Sequence, residues 1–174
     1  MERIADFEKV TDSIFTEQAV KMLGMEEAQA SAAYEGIKLP KRATAGSAGY
    51  DFYMPCDAVL APGKTLTVPT GIRARIDDGW VLMLFPRSGL GFKYRLQLDN
   101  TVGVIDSDYY NSDNEGHIMI KVTNCSNVGD DGRILELKAG TGFAQGVFLP
   151  FGITCTDGAD GVRNGGFGST TVNK

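Results

Sequence analysis

One histidine, His117, and three scattered cysteines, Cys56, Cys125 and Cys155, leave little to build a zinc site or a disulfide framework from, and no CxxC pair is present. No stretch approaches the roughly 20 consecutive apolar residues that a membrane-crossing helix needs, so no membrane partner is expected. The opening MERIADFEKV is acidic where a secretory signal would be apolar, which points to an intracellular, cytoplasmic chain. Surplus positive charge is missing too. Lysine and arginine number 17 against 22 acidic residues, a net charge of -5. Residues 1–35 hold eight acidic and three basic side chains, so the remaining chain balances at fourteen of each. A neutral body without a basic stripe does not suit nucleic acid. An anionic ligand would have to be held by a few placed cations, by glycine-rich backbone or by a metal.

The 174 residues that remain to be explained suffice for one domain with a sizeable core. Ile4, Phe7, Val10 and Ile14, then Phe15, Ala19, Met22 and Leu23, recur at three- and four-residue spacings, which predicts one acidic amphipathic helix over residues 2–23 ended by Gly24. A second, alanine-rich helix is expected over Met25–Tyr34, with Gly36 just beyond it. Residues 1–36 thus read as a helical extension. It either packs on its own body or a neighbouring subunit, or serves as an arm for a protein partner.

From Ile37 the pattern changes. Ile72, Ala74 and Ile76 alternate with arginines, Ile118, Ile120 and Val122 alternate with Met119, Lys121 and Thr123, and Leu135 and Leu137 flank Glu136. Trp80–Phe85 is a continuous apolar run suited to a strand buried on both faces. Turn signals at Ala61-Pro62-Gly63, Asp77-Asp78-Gly79 and Asp130-Asp131-Gly132 separate such strands. Residues 37–160 are therefore expected to form an all-β, jelly-roll-like sandwich or barrel, and the glycine-rich residues 161–174 a mobile arm, either one that a ligand orders or a disordered terminus of no consequence.

The chemistry concentrates in LDNTVGVIDSDYYN, residues 98–111. In what reads as a hairpin it offers the amide of Asn100, a permissive Gly103, the apolar pair Val104 and Ile105, the carboxylate of Asp106 and the ring of Tyr109. A carboxylate beside buried apolar surface loses hydration and becomes a better proton acceptor, which makes Asp106 a candidate general base. The other reading is that Asp106, Ser107 and Asp108 only cap a turn. Upstream, Pro86-Arg87-Ser88-Gly89 follows the apolar run and reads either as an ordinary turn or as a helix start with Ser88 at the N-cap, where amides, a hydroxyl and an arginine would bind an anion.

Five segments stand in one order: AGYDFY (48–53), PRSGLG (86–91), NTVGVIDSDYY (100–110), GFAQGVFLP (142–150) and RNGGFGST (163–170). In this the chain resembles the trimeric dUTPases over about residues 37–170. The resemblance implies hydrolysis of dUTP to dUMP and pyrophosphate, a homotrimer with active sites at subunit interfaces, and Mg²⁺ carried mainly by the phosphates and water. It implies Asp106 as the base that activates water, Tyr109 as the ring beneath deoxyribose that excludes a 2'-hydroxyl, and Asn100 with the backbone of Gly103, Val104 and Ile105 as the reader of uracil. Arg87, Ser88, Gly89 and Gln145 would lie along the phosphates, with Asp51 organising the metal through water. Arg163, Phe167, Gly168, Ser169 and Thr170 match the arm that closes over base and phosphates, Arg163 countering charge at the reacting centre. The chain departs from the family pattern at Tyr110-Asn111, at Thr141-Gly142, in the short spacing of the last motif and at Thr171. A dCTP deaminase, or a bifunctional deaminase and hydrolase of the same fold, is the nearest alternative; a hydrolase that also recruits a regulator through its helices is another.

Overall fold

The computed structural model describes residues 2–127, 133–163 and 165. The expected alternation becomes strands. Ile72, Ala74 and Ile76 are buried in β6 (Ile72–Ile76), Ile120 and Val122 in β10 (Met119–Asn124), and Leu135 and Leu137 in β11 (Leu135–Leu137). Completing the body are β2 (Lys41–Arg42), β3 (Tyr50–Tyr53), β4 (Ala58–Leu60), β5 (Thr65–Pro69), β7 (Trp80–Pro86), β8 (Leu96–Leu98), β9 (Gly103–Ile105) and β12 (Gly142–Pro150). With β1 (Ala5–Lys9), four antiparallel sheets appear among the described residues, in the orders β2-β3-β12-β7-β9, β5-β10-β8, β1-β6 and β4-β11. Their inward faces share one apolar core around Phe52, Leu82, Leu84, Ile120 and Phe143, an all-β, jelly-roll-like arrangement. The run Trp80–Phe85 is not buried on both faces: only Leu82 and Leu84 are fully enclosed, while Trp80, Val81, Met83 and Phe85 are half-covered. The turn signal at Asp130–Gly132 lies outside the described residues.

The largest correction concerns the N-terminus. The single helix expected over residues 2–23 is a strand followed by a helix. Strand β1 pairs antiparallel with β6, setting Asp6 opposite Arg75 and Glu8 opposite Arg73. Phe7 projects into a group of rings, with centroids 5.3 Å from Tyr50, 5.7 Å from Phe52 and 5.6 Å from Phe148. Helix α1 (Asp12–Leu23) then closes at Gly24, whose φ of 64° only glycine adopts without strain, and α2 (Glu27–Glu35) follows. The pair packs on its own body. Val10, Phe15, Ala19 and Ala30 are fully buried in a second apolar cluster that meets the main core at Ile37. Gly71 makes this docking fit: its φ is 71°, and a Cβ there would lie 2.3 Å from Ile37 and 3.2 Å from Phe15.

Beneath the helices His117 is wholly enclosed. Its Nε2 accepts the Gly71 amide proton at 2.9 Å, which fixes a neutral ring. Burial pushes its pKa from the ordinary 6.5 down to about 4, against a weaker upward pull from Glu115. The folded chain therefore refuses a proton that the unfolded chain accepts. This costs nothing above pH 6.5 and destabilises progressively as pH falls toward 4. Urea melts at pH 7.5 and 4.5 should show His117→Gln losing less stability on acidification than the wild type, by about 2.5 kcal/mol. An equal acid loss in both proteins would mean that His117 is not the group responsible.

Candidate active site

Residues 98–111 do not form a hairpin. Strand β8 pairs with β10 and β9 pairs with β7, so the turn at 99–102 carries the chain from one sheet to another. Its tip is tight. The Thr101 amide donates to the Leu98 carbonyl at 2.9 Å and the Val102 amide to the Asn100 carbonyl at 2.7 Å. Thr101 sits at φ 62°, a left-handed conformation that a β-branched residue adopts only when its surroundings impose it. Lys121 pins the base of the turn through an ion pair of 3.1 Å to Asp99, leaving Asn100 projecting and exposed. Gly103 serves packing rather than a turn, since a Cβ there would come within 3.0 Å of Leu84 on β7.

Where the two sheets part lies a cavity of about 660 Å³, bordered by Asn100, Gly103, Val104, Ile105, Asp106 and Tyr109. Val104 faces out and is 54% exposed, whereas Ile105 is buried. The expected dehydration of Asp106 does not occur, because its side chain remains 46% exposed. Nor does it cap the 3₁₀ turn Ser107–Asn111: it occupies the N-cap position with no side-chain capping bond. Its carboxylate instead holds the guanidinium of Arg163, whose Nε also lies 2.8 Å from Asp108. Tyr109 is the buried member. Its hydroxyl donates to the His117 carbonyl at 2.8 Å and accepts from the Asn114 amide at 2.9 Å. Burial raises the phenol pKa and keeps it neutral. The edge of the cavity thus holds a solvated carboxylate beside an arginine, with a fixed aromatic ring nearby.

A second group lies on the far side of the five-stranded sheet. Asp51 on β3 is the cross-strand neighbour of Gln145 on β12, and Arg87 places its Nε 3.2 Å from Asp51. The Gln145 amide donates to the Pro86 carbonyl at 3.3 Å and Arg87 to the Gly142 carbonyl at 3.4 Å. Arg87, not Ser88, is the N-cap of α3 (Ser88–Tyr94), so Ser88 and Gly89 are its first helical residues and their amides precede the helix ladder. None of these five residues borders the cavity. Strand β3 stands three strand spacings from β9 in the sheet order, roughly 14 Å at ordinary strand separation. Within one chain the predicted site is therefore split: Asn100 to Tyr109 with Arg163 on one side, Asp51, Arg87, Ser88, Gly89 and Gln145 on the other. The expected arm residues Phe167, Gly168, Ser169 and Thr170 lie outside the described residues. Met22 and Lys121 also border the cavity and were not anticipated. A helix meeting a distant turn leaves no local signal in the sequence.

An all-β protein of this topology, with an acid paired to an arginine at the edge of a cavity between sheets, belongs to a recognisable class. The dUTPase family profile matches residues 35–171. The deoxyuridine 5'-triphosphate nucleotidohydrolase of Lactococcus lactis subsp. lactis is 43% identical over 140 residues, spanning 78% of this chain and 89% of the relative. That of Tolumonas auensis is 41% identical over 140 residues, spanning 76% of this chain and 86% of the relative. The crystal structure of dUTPase from Streptococcus mutans superposes with a TM-score of 0.63 at 37% identity, covering 87% of this chain and 98% of the other. A dUTPase from a Staphylococcus aureus phage, phi11, in which a structural Mg(II) ion is coordinated, superposes at 0.62 but at 19% identity, a likeness of fold alone. The chain belongs to the dUTPase family. Among the described residues no helix is long and apolar enough to cross a membrane.

Proposed function

We propose that this chain hydrolyses dUTP to dUMP and pyrophosphate, with Asp106 as general base at the cavity between the two sheets. The observation that carries the reading is the solvated Asp106 carboxylate facing Arg163 beside the buried ring of Tyr109. In the reaction a water oxygen bonds to the α-phosphorus, the bond from that phosphorus to the α–β bridging oxygen breaks, pyrophosphate leaves, and the water proton passes to Asp106. Arg163, which the free chain holds between Asp106 and Asp108, is positioned to move onto phosphate oxygens and counter the charge that develops there. The projecting Asn100 and the backbone of the strained turn offer donors and acceptors to a uracil edge, and Tyr109 a flat apolar surface to the sugar.

The split between the two polar groups supports a homotrimer in which Arg87, Ser88, Gly89, Gln145 and Asp51 of one copy reach the phosphates bound in another's cavity. Phe92, 92% exposed on α3 beside that group, is the kind of residue a neighbouring copy covers. Among the described residues no three histidine, cysteine or acidic side chains converge. An ion brought in by the triphosphate's own oxygens needs no such cluster, and Asp51 would offer it an acidic contact through water. Bound there, magnesium would supply charge neutralisation of the phosphates.

Pyrophosphate release from dUTP, measured beside dTTP, dCTP and UTP with and without magnesium, tests the assignment. dUTP should be hydrolysed well ahead of the others; ammonia release from dCTP would instead identify a deaminase. Tyr109→Ala should lower the ratio of dUTP to UTP efficiency more than it weakens dUTP binding, because the ring acts by exclusion. An unchanged ratio would place the sugar discrimination elsewhere.

A further inference from the structure

The N-terminal residues 5–35 lie almost wholly outside the segment matched to the family, which begins at residue 35. Yet they touch the candidate site in two ways. Met22, in the last turn of α1, borders the cavity that also contains Asn100, Asp106 and Tyr109. It is the one residue before position 35 to do so among those described. The same N-terminal segment also grips the loop that follows Asp106. Glu8 accepts the Tyr110 hydroxyl proton at 2.8 Å, a bond that lowers the Glu8 pKa and raises that of Tyr110. The Arg73 guanidinium lies 4.4 Å from the centre of the Tyr110 ring and 2.9 Å from Glu8, closing a three-membered contact. At the loop's far end the Glu115 carboxylate accepts from the Thr11 amide at 2.7 Å and from its hydroxyl at 2.9 Å. Tyr109 directly precedes the first attachment, and its hydroxyl is held by Asn114 and the His117 carbonyl, which flank the second.

We propose that the N-terminal segment is part of the substrate site, with Met22 as an apolar wall for the nucleoside and the Glu8–Tyr110 and Thr11–Glu115 contacts as the mount that positions Tyr109. The assignment rests on the dUTP reading above. A thioether has nothing to offer a triphosphate and dispersion contact to offer a base or sugar, so Met22 belongs to the nucleoside end of the site. Tyr110 acts through its neighbour. It is a positioning residue, and it stands at one of the places where this chain departs from the family pattern.

The test uses the full-length chain. Met22→Ala should raise both KM for dUTP and the dissociation constant of a non-hydrolysable dUTP analogue roughly five- to tenfold, with kcat changed less than about twofold, the pattern of a lost apolar contact made equally in ground and transition states. Met22→Leu should restore both constants. Inhibition by inorganic triphosphate, which has no nucleoside, should be the same in all three proteins. Tyr110→Phe, which keeps the ring over Arg73 and removes only the bond to Glu8, should lower the ratio of dUTP to UTP efficiency about three- to tenfold. A Met22→Ala enzyme with wild-type KM and analogue affinity would overturn the wall. A Tyr110→Phe enzyme with the wild-type ratio would overturn the mount. A wild-type chain that fails to hydrolyse dUTP would overturn the parent reading, and this inference with it.

Discussion

Asp106→Asn should lower dUTP turnover by about 10² to 10⁴ while leaving dUTP binding within about twofold, which is the ordinary contribution of a positioned general base. The substitution isolates proton transfer well. The amide has the size of the carboxylate and its oxygen still accepts a hydrogen bond from Arg163, so the loop should stay in place. The lost ion pair is half-exposed, and such pairs contribute little to stability, so melting should hardly change. What disappears is the capacity to take a proton from water. Single-turnover hydrolysis together with calorimetric titration of a dUTP analogue separates the two effects. Undiminished turnover would remove Asp106 from the mechanism, and equal losses of turnover and affinity would make it a binding residue instead.

The body was largely legible because its strands obey period two and their turns carry glycine and aspartate, signals that act within a few residues. The five motifs likewise pointed to Asp106, Tyr109, Arg87 and Asp51, which the fold gathers into the two groups described above. The sequence misled where a local pattern was compatible with two structures. Ile4, Phe7 and Val10 fit a helical spacing, but pairing with β6 and the ring cluster around Phe7 make Ala5–Lys9 a strand. One signal could have found it: Asp6 and Glu8 alternate at the same period as Arg73 and Arg75, and these are the cross-strand partners. The supposed hairpin failed for a related reason. Two short strands joined by a tight turn ordinarily pair with each other, and here β10 and β7 take them into different sheets. The solvation of Asp106 was not legible at all, since the neighbours Val104 and Ile105 point to opposite faces and only one of them buries itself.

Two deletions separate the strand from the helices, and the first should be the more destructive. Removing residues 1–35 takes β1 off β6, withdraws Phe7 from the rings of Tyr50, Phe52 and Phe148, strips Phe15 from over His117 and Gly71, and removes Val10 and Ala19 of the same buried cluster. At about 1.5–3 kcal/mol for each large buried side chain the loss exceeds about 5 kcal/mol, comparable with the entire 5–15 kcal/mol stability of an ordinary domain. This variant should aggregate or fail to melt cooperatively. Removing only residues 12–35 is different. The Val10 amide donates to the Gly71 carbonyl at 3.0 Å, and Ile37 also packs against Gly71, so the cut ends lie close together and a short glycine-serine linker can join them at modest entropic cost. That variant keeps β1 and the grip of Glu8 on Tyr110 but exposes the site of Phe15. It should fold, melt well below the wild type, and hydrolyse dUTP with a raised KM because Met22 has gone. Light scattering and thermal melts on the two proteins decide the matter: a variant lacking residues 1–35 that melts like the wild type would show that β1 and the helices contribute nothing to the fold.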